Sequence, residues 1–158
     1  MALETTSTLE DSTIDQLQTL ARLNIDSRDG FRYAADKLPD SSGELKSLFN
    51  SASQERAKQA EELNRYVQIN DEEPAKHGSV AASFHRTMMG FRDMFTSTHD
   101  PYAVLAEAER GEDTIKHAYE KALKETSGSA VTDLLNRQYA SVKSMHDRVR
   151  DLRDSVKK

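Results

Sequence analysis

The residues "LAEAERGEDTIKHAYEKAL" (105–123) indicate a helical fold, because the apolar ones recur with the period of an α-helix. At about 100° per residue, one face collects five apolar or aromatic side chains: Leu105, Ala108, Ile115, Tyr119 and Leu123. Glu112 falls near the middle of that face. A carboxylate among apolar side chains needs a partner, so the stretch predicts a helical protein with a polar group in its core.

The composition of the chain favours a single all-helical domain. The 158 residues include only three prolines and six glycines, and 31% are charged, which is typical of helices whose outer faces carry salt bridges. Short alternating β-branched runs are absent. We expect the polar residues 1–11 to be flexible and residues 12–158 to form one helical-bundle domain.

Charge and residue usage exclude several classes of function. Lysine and arginine (22) are interleaved with aspartate and glutamate (27), so no basic stripe is available for nucleic acid. The absence of cysteine excludes disulfides, thiolate metal sites and thiol catalysis. The N-terminus lacks a basic start followed by an apolar core, and no stretch approaches the roughly 18 apolar residues of a membrane span. We expect a cytoplasmic protein with neither a nucleic-acid nor a membrane partner.

The hydrophobic pattern predicts four long helices, with approximate bounds of 12–38, 41–70, 101–126 and 129–158. Pro39 ends the first, and Ser41 and Glu44 have the spacing of a capping box at the start of the second. Asp100 and Pro101 are typical of an N-cap followed by the first helical position. The fourth helix turns eight apolar residues inward: Val131, Leu134, Leu135, Val142, Met145, Val149, Leu152 and Val156.

The connection between the second and third helices contains a further short amphipathic segment. Its apolar residues recur at helical spacing: Val80, Phe84, Met88, Phe91 and Phe95. The methionines of this region (Met88, Met89 and Met94) are interpreted as core filler, with docking of a partner protein by the Met/Phe stripe as the alternative. Its histidines (His77, His85 and His99) are interpreted as surface residues. About seventeen helical residues cover roughly 25 Å, enough to carry the chain back along a bundle.

Short turns on either side of one long connection predict the fold class. Helices joined by short turns are antiparallel neighbours. The order helix, turn, helix, long connection, helix, turn, helix therefore predicts a four-helix bundle with one long crossover that carries a short extra helix. This is the connectivity of ferritin-like folds.

Each predicted helix contributes one polar residue to the middle of its apolar face. These central residues are Asn24, Arg56, Glu112 and Gln138. Four more polar residues lie at the edges of the same faces: Arg28, Gln59, Glu109 and His146. The pattern predicts a polar layer across the core, in which an Arg56–Glu112 ion pair is bridged by Asn24 and Gln138.

A di-metal carboxylate bundle would need a different set of side chains at this level. Such bundles take a Glu from each of two helices and a Glu-x-x-His from each of the other two, and neither Glu-x-x-His motif is intact here. We interpret the layer first as structural, fixing helix register and pairing. Two alternatives stay open: a reduced site for Fe, Mn or Zn, and a small-anion site at the arginines. The candidate metal ligands are Glu55, Glu109, Glu112 and His146.

Two glycines fall inside predicted helices, where each costs about 1 kcal/mol relative to alanine. We expect close approach of a neighbouring helix at Gly30 and Gly111, with access of a ligand to the backbone as the alternative. Phosphate-binding loops, dinucleotide fingerprints, zinc-protease motifs and nucleophile elbows are absent from the sequence. The sequence therefore favours a protein that is not an enzyme and that carries no cofactor.

Several stretches resemble a family of small bacterial ferritin-like four-helix-bundle proteins classed as a domain of unknown function. They are "DSRDGFRYAADKL" (26–38), "QERAKQAEEL" (54–63), "GSVAASFHR" (78–86), "AERGEDTIKHAYEKAL" (108–123) and "RQYASVKSMHDRV" (137–149). The resemblance implies the bundle fold and no particular reaction; related bundles are linked to bacterial stress responses, and some hold metal pairs. We expect a bundle that binds a partner protein or assembles with itself, with metal binding as the alternative.

Overall fold

The computed structural model describes residues 5–76, 93 and 100–156. It places four long helices in them: α1 (Asp11–Lys37), α2 (Gly43–Ile69), α3 (Pro101–Glu125) and α4 (Thr132–Val156). This described part contains no strand, and the predicted all-α four-helix bundle is confirmed. The short helix predicted in the crossover, with His77, His85, His99 and its methionines, lies outside the described residues. Within the helices that are described, none is both long and apolar enough to cross a membrane.

The helix boundaries follow the predicted signals at some ends and depart from them at others. Lys37 ends α1 just before the extended Leu38 that precedes Pro39, and Pro101 opens α3 after the N-cap residue Asp100. The capping box at Ser41 is wrong: a 3-10 turn, Asp40–Ser42, comes first, and the actual N-cap residue makes no side-chain cap hydrogen bond. The fourth helix starts at Thr132, later than predicted, because residues 126–131 form turns.

Contacts between side chains fix the direction of each helix. Near the start of α1, Gln16 donates to Glu125 at the end of α3, so α1 and α3 are antiparallel. The contact between Glu62, late in α2, and Arg137, early in α4, makes that pair antiparallel as well. The short turns make α1 antiparallel to α2 and α3 antiparallel to α4. It follows that α2 and α3 run in the same direction.

Because α2 and α3 are parallel, the end of α2 and the start of α3 lie at opposite ends of the bundle. The end of α2 lies beside the start of α1, where the backbone N–H of Leu9 donates to Oδ1 of Asn70 at 2.8 Å. The start of α3 lies at the other end, where Pro101 and Leu105 border a cavity with Leu45 of α2. These two contacts confirm the relative direction of α2 and α3. Leu9, within the segment expected to be flexible, is buried against the core.

The hydrophobic core is divided into two parts along the bundle. One part surrounds Leu17, Leu63, Ile115 and Leu135; the other surrounds Phe31, Phe49, Leu105 and Val149. Between them the helices bury polar side chains instead: Ser27, Ser53, Arg56, Gln59 and Glu112. Val156, predicted to point inward, is 39% exposed because α4 ends there. The divided core places the polar side chains at one level of the bundle.

Candidate functional site

Arg56 is the central residue of the buried polar layer. Its Nη2 lies 2.5 Å from Oε2 of Glu112, its Nη1 donates to Oε1 of Gln59 at 3.1 Å, and its Nε donates to Oγ of Ser27 at 3.2 Å. Three different helices thus hold one guanidinium. The sequence pattern places Arg56, Glu112 and Gln59 in the layer; Ser27 is not predicted, although it lies one turn after Asn24 on the same face of α1.

Glu112 and Arg56 compensate each other electrostatically. Both side chains are almost completely removed from solvent, with exposed fractions of 1% and 0%. Burial raises the pKa of the Glu112 carboxyl, and the charge and hydrogen bond of Arg56 oppose that rise. An arginine stays protonated in proteins, so removing either partner would leave an uncompensated polar or charged group in the core.

A second chain of hydrogen bonds runs through the same level of the bundle. Nδ2 of Asn24 donates to the hydroxyl of Tyr119 at 2.8 Å, and that hydroxyl donates to Oε1 of Gln138 at 2.7 Å. Burial raises the pKa of Tyr119, which keeps its hydroxyl protonated. The predicted bridging of the ion pair by Asn24 and Gln138 is wrong, because Tyr119 joins them to each other. A tyrosine in a core stripe requires a partner for its hydroxyl, which is the signal in the sequence for this role.

This hydrogen-bond chain continues from the core to the surface between α2 and α4. Nε2 of Gln138 donates to Oε1 of Glu62 at 2.7 Å, and Arg137 donates to both oxygens of Glu62 at 3.2 and 2.9 Å. Burial acts to raise the pKa of Glu62, but the hydrogen bonds from Arg137 and Gln138 and nearby positive charge hold it below its ordinary value. The series of hydrogen bonds that begins at Asn24 therefore reaches the surface at the ionised carboxylate of Glu62.

Two further predicted residues are Arg28, placed at the edge of the layer, and Glu55, a candidate metal ligand. Arg28 pairs with its neighbour Asp29 at 2.9 Å, and its side chain is 30% exposed. Glu55 borders a cavity between α2 and α4 together with Lys58 and Glu62, and it is not among the side chains that could hold a metal ion together. In Asn24, Oδ1 is buried without a hydrogen-bond partner among residues 5–76 and 100–156.

A separate cluster lies where α3 packs against α4. Nε2 of His146 lies 2.6 Å from Oδ1 of Asp113 and 4.0 Å from Oε1 of Glu109, and Nδ1 lies 3.1 Å from Oδ1 of Asp147. Arg153 donates to the other oxygen of Glu109. One ligand atom from each of Glu109, Asp113 and His146 lies within 4.8 Å of the others, a spacing that could hold a metal ion. Among the described residues, no second group of this kind is found.

The structure thus places only some of the predicted metal ligands together. Glu109 and His146 lie in the same cluster, whereas Glu112 pairs with Arg56. Asp113, which takes the place of Glu112, is not predicted as a ligand. The signal for it is the four-residue spacing from Glu109, which puts both carboxylates on one face of α3.

Gly111 does not mark a close contact between helices. A Cβ placed on it would meet no atom of the described residues within 4 Å. Among the described helices, none makes the close approach that was expected at this position. Gly30 is buried in α1, and the prediction made for it stays a prediction.

Comparison with known families finds a match that covers the first three helices. Residues 12–125 match the family described as Domain of unknown function (DUF2383). The chain belongs to this family. The DUF2383 match contains Asn24, Arg56 and Glu112, whereas Gln138 and His146 lie beyond it. A comparison with curated proteins found no significant match. Kinship of this DUF2383 protein with ferritin-like proteins stays a prediction.

Proposed function

We propose that this protein is a non-catalytic helical bundle that binds a protein partner or assembles with itself, in a stress-related role in the cytoplasm. The Arg56–Glu112 pair is the observation that carries the proposal. In bundles that bind cofactors, side chains on facing helices form the site in the core. The Arg56–Glu112 pair occupies the corresponding core position in this protein. An ion pair that spans α2 and α3 favours one pairing of the helices over others, which is a structural role.

The hydrogen bonding of the layer supports the same function. Arg56, Tyr119 and Gln138 each bond to side chains from other helices. Their donors and acceptors are engaged within the protein, so the layer offers few groups with which to bind a substrate. We therefore assign recognition to the outer surface of the bundle, where the two signs of charge are interspersed.

The proposal is tested with a variant that removes the ion pair and preserves its volume. In Arg56→Met combined with Glu112→Leu, we expect the fold and the association state to persist, because paired apolar replacement of a buried ion pair is commonly tolerated. Circular dichroism and light scattering over a wide concentration range measure both properties on untagged protein. Elemental analysis is done in parallel. Stoichiometric bound metal that is lost in Glu112→Gln would contradict the proposal, because it would show that the central layer is a metal site.

The second candidate function is binding of Fe, Mn or Zn by a reduced carboxylate and histidine site. The observation that favours it is the proximity of Glu109 to His146. The four-helix connectivity, with one long crossover, is compatible with such a role because ferritin-like bundles share it. Melting curves with and without added Fe(II), Mn(II) or Zn(II) test this candidate, since a metal that binds the native state raises the melting temperature.

A further inference from the structure

We propose that Glu109, Asp113 and His146 form a binding site for one divalent transition-metal ion between α3 and α4. The site deepens the second candidate function and rests on it, because it names the ligands and the position of the ion. It lies outside the central layer, and it excludes Glu112, which Arg56 holds. Its three side chains come from two antiparallel helices that a short turn joins, so the turn positions the histidine opposite the carboxylates.

The arrangement of acceptors around His146 supports a cation at this point. Nε2 faces Oδ1 of Asp113 at 2.6 Å and Oε1 of Glu109 at 4.0 Å, while one N–H can serve only one of these oxygens well. A doubly charged ion would interact with both carboxylates and the imidazole at once. Imidazole together with carboxylate is a ligand set suited to Zn²⁺, Mn²⁺ and Fe²⁺.

The surroundings of the histidine have the form expected of a metal ligand. Nδ1 of His146 faces Oδ1 of Asp147 at 3.1 Å, and metal-bound histidines usually donate their second N–H to a carboxylate in this way. The side chain of His146 is 9% exposed, whereas that of Asp113 is 47% exposed. The ring is therefore held in place, and the ion can enter from the side of Asp113, where water can complete the coordination.

Binding of an ion requires small movements of the ligand side chains, because Nε2 of His146 and Oδ1 of Asp113, now 2.6 Å apart, must separate, and Glu109 must move inward. Zinc lies about 2.0–2.2 Å from each nitrogen or oxygen ligand, so atoms up to 4.8 Å apart must draw closer. Glu109 has the rotatable bonds to do this through Oε1, the oxygen that Arg153 does not contact. We expect the positive charge of Arg153 on the other oxygen to weaken the attraction of Glu109 for the metal.

Titration calorimetry with Zn²⁺ on the untagged full-length protein tests the site. We expect one ion per chain in the wild type. The expected loss of affinity in Asp113→Asn and in His146→Gln exceeds the roughly 10–100-fold that removal of an outer-shell partner costs. Glu107→Gln, which removes a carboxylate on α3 that pairs with Arg110, is the matched control and should bind as the wild type does. Circular dichroism confirms that each variant is folded; the exposure of Asp113 makes Asp113→Asn the variant least affected by changes in stability.

Two results would overturn the assignment. One is the absence of Zn²⁺ binding in the wild type; the other is binding that persists unchanged in folded Asp113→Asn. Arg153→Met tests Glu109 separately, because removing this positive charge should tighten binding. Unchanged or weaker binding in Arg153→Met would exclude Glu109 from the ligand set. Metal that depends on Asp113 but not on Glu112 would support this site and leave the proposed structural role of the central layer intact.

Discussion

Nη2 of Arg56 and Oε2 of Glu112 lie 2.5 Å apart, and neither side chain is more than 1% exposed. The pair joins α2 to α3, two helices that are connected in sequence only through the long crossover. It lies between two hydrophobic clusters, neither of which contains a charged residue. A charged contact between helices so far apart in the chain makes their relative position specific, because sliding either helix would bury an unpaired charge.

Replacing Arg56 with alanine should strongly destabilise the protein. The change leaves the Glu112 carboxyl buried without its partner and removes the hydrogen bonds to Ser27 and Gln59. We expect a loss of about 3–5 kcal/mol in the free energy of unfolding, measured by urea denaturation. The Arg56→Met and Glu112→Leu double variant is the matched comparison and should lose much less. A single variant as stable as the wild type would show that the pair contributes little.

Replacing Tyr119 with phenylalanine should also destabilise the core, by a smaller amount. The hydroxyl donates to Gln138 and accepts from Asn24, so its removal leaves a buried carbonyl without a donor. We expect a cost of about 1–3 kcal/mol by urea denaturation. Tyr139→Phe is the control, because the Tyr139 hydroxyl bonds to Glu120 at the surface, and it should change stability by less than about 0.5 kcal/mol. Equal effects in the two variants would contradict the role assigned to Tyr119.

The helices and the level of the polar layer could be predicted from the sequence because both depend on local periodicity. Asn24, Arg56, Glu112 and Gln138 interrupt apolar faces at helical spacing, and all four are buried in the structure. Which of them bond to each other depends on the directions and lengths of the side chains, which periodicity does not contain. This is why the pattern places Arg56 beside Glu112 but misses the role of Tyr119 between Asn24 and Gln138.

The metal-ligand candidates show the same limit. Helical spacing puts Glu109, Glu112 and Asp113 within five residues of α3, but it cannot decide which of them faces His146 across the α3–α4 contact. The carboxylates compete for positively charged partners: Glu112 pairs with Arg56, whereas Asp113 and Glu109 lie beside His146. Predicting this outcome requires the three-dimensional positions of all the charged side chains.

Replacing Gly111 with alanine should stabilise the protein. The residue is within α3, and an added Cβ would meet no atom of the described residues within 4 Å. Alanine is better than glycine inside a helix by about 1 kcal/mol, and we expect most of that gain in the free energy of unfolding. Gly128→Ala is the contrasting variant, because Gly128 has a φ of +79° that favours glycine, and it should destabilise. Loss of stability in Gly111→Ala would reveal a close contact at this position.

The Glu62–Arg137 contact should make stability depend on pH in the acidic range. The pKa of Glu62 in the folded protein lies below its ordinary value of 4.5. Its contribution to stability is therefore complete above that value and is lost as the pH falls through the lower, folded-state pKa. We expect the difference in melting temperature between wild type and Glu62→Gln to be constant near neutral pH and to shrink below about pH 4.5. Glu61→Gln, at an exposed neighbouring position, controls for loss of one negative charge. A difference between wild type and Glu62→Gln that grows with acidification would contradict the direction of the pKa shift.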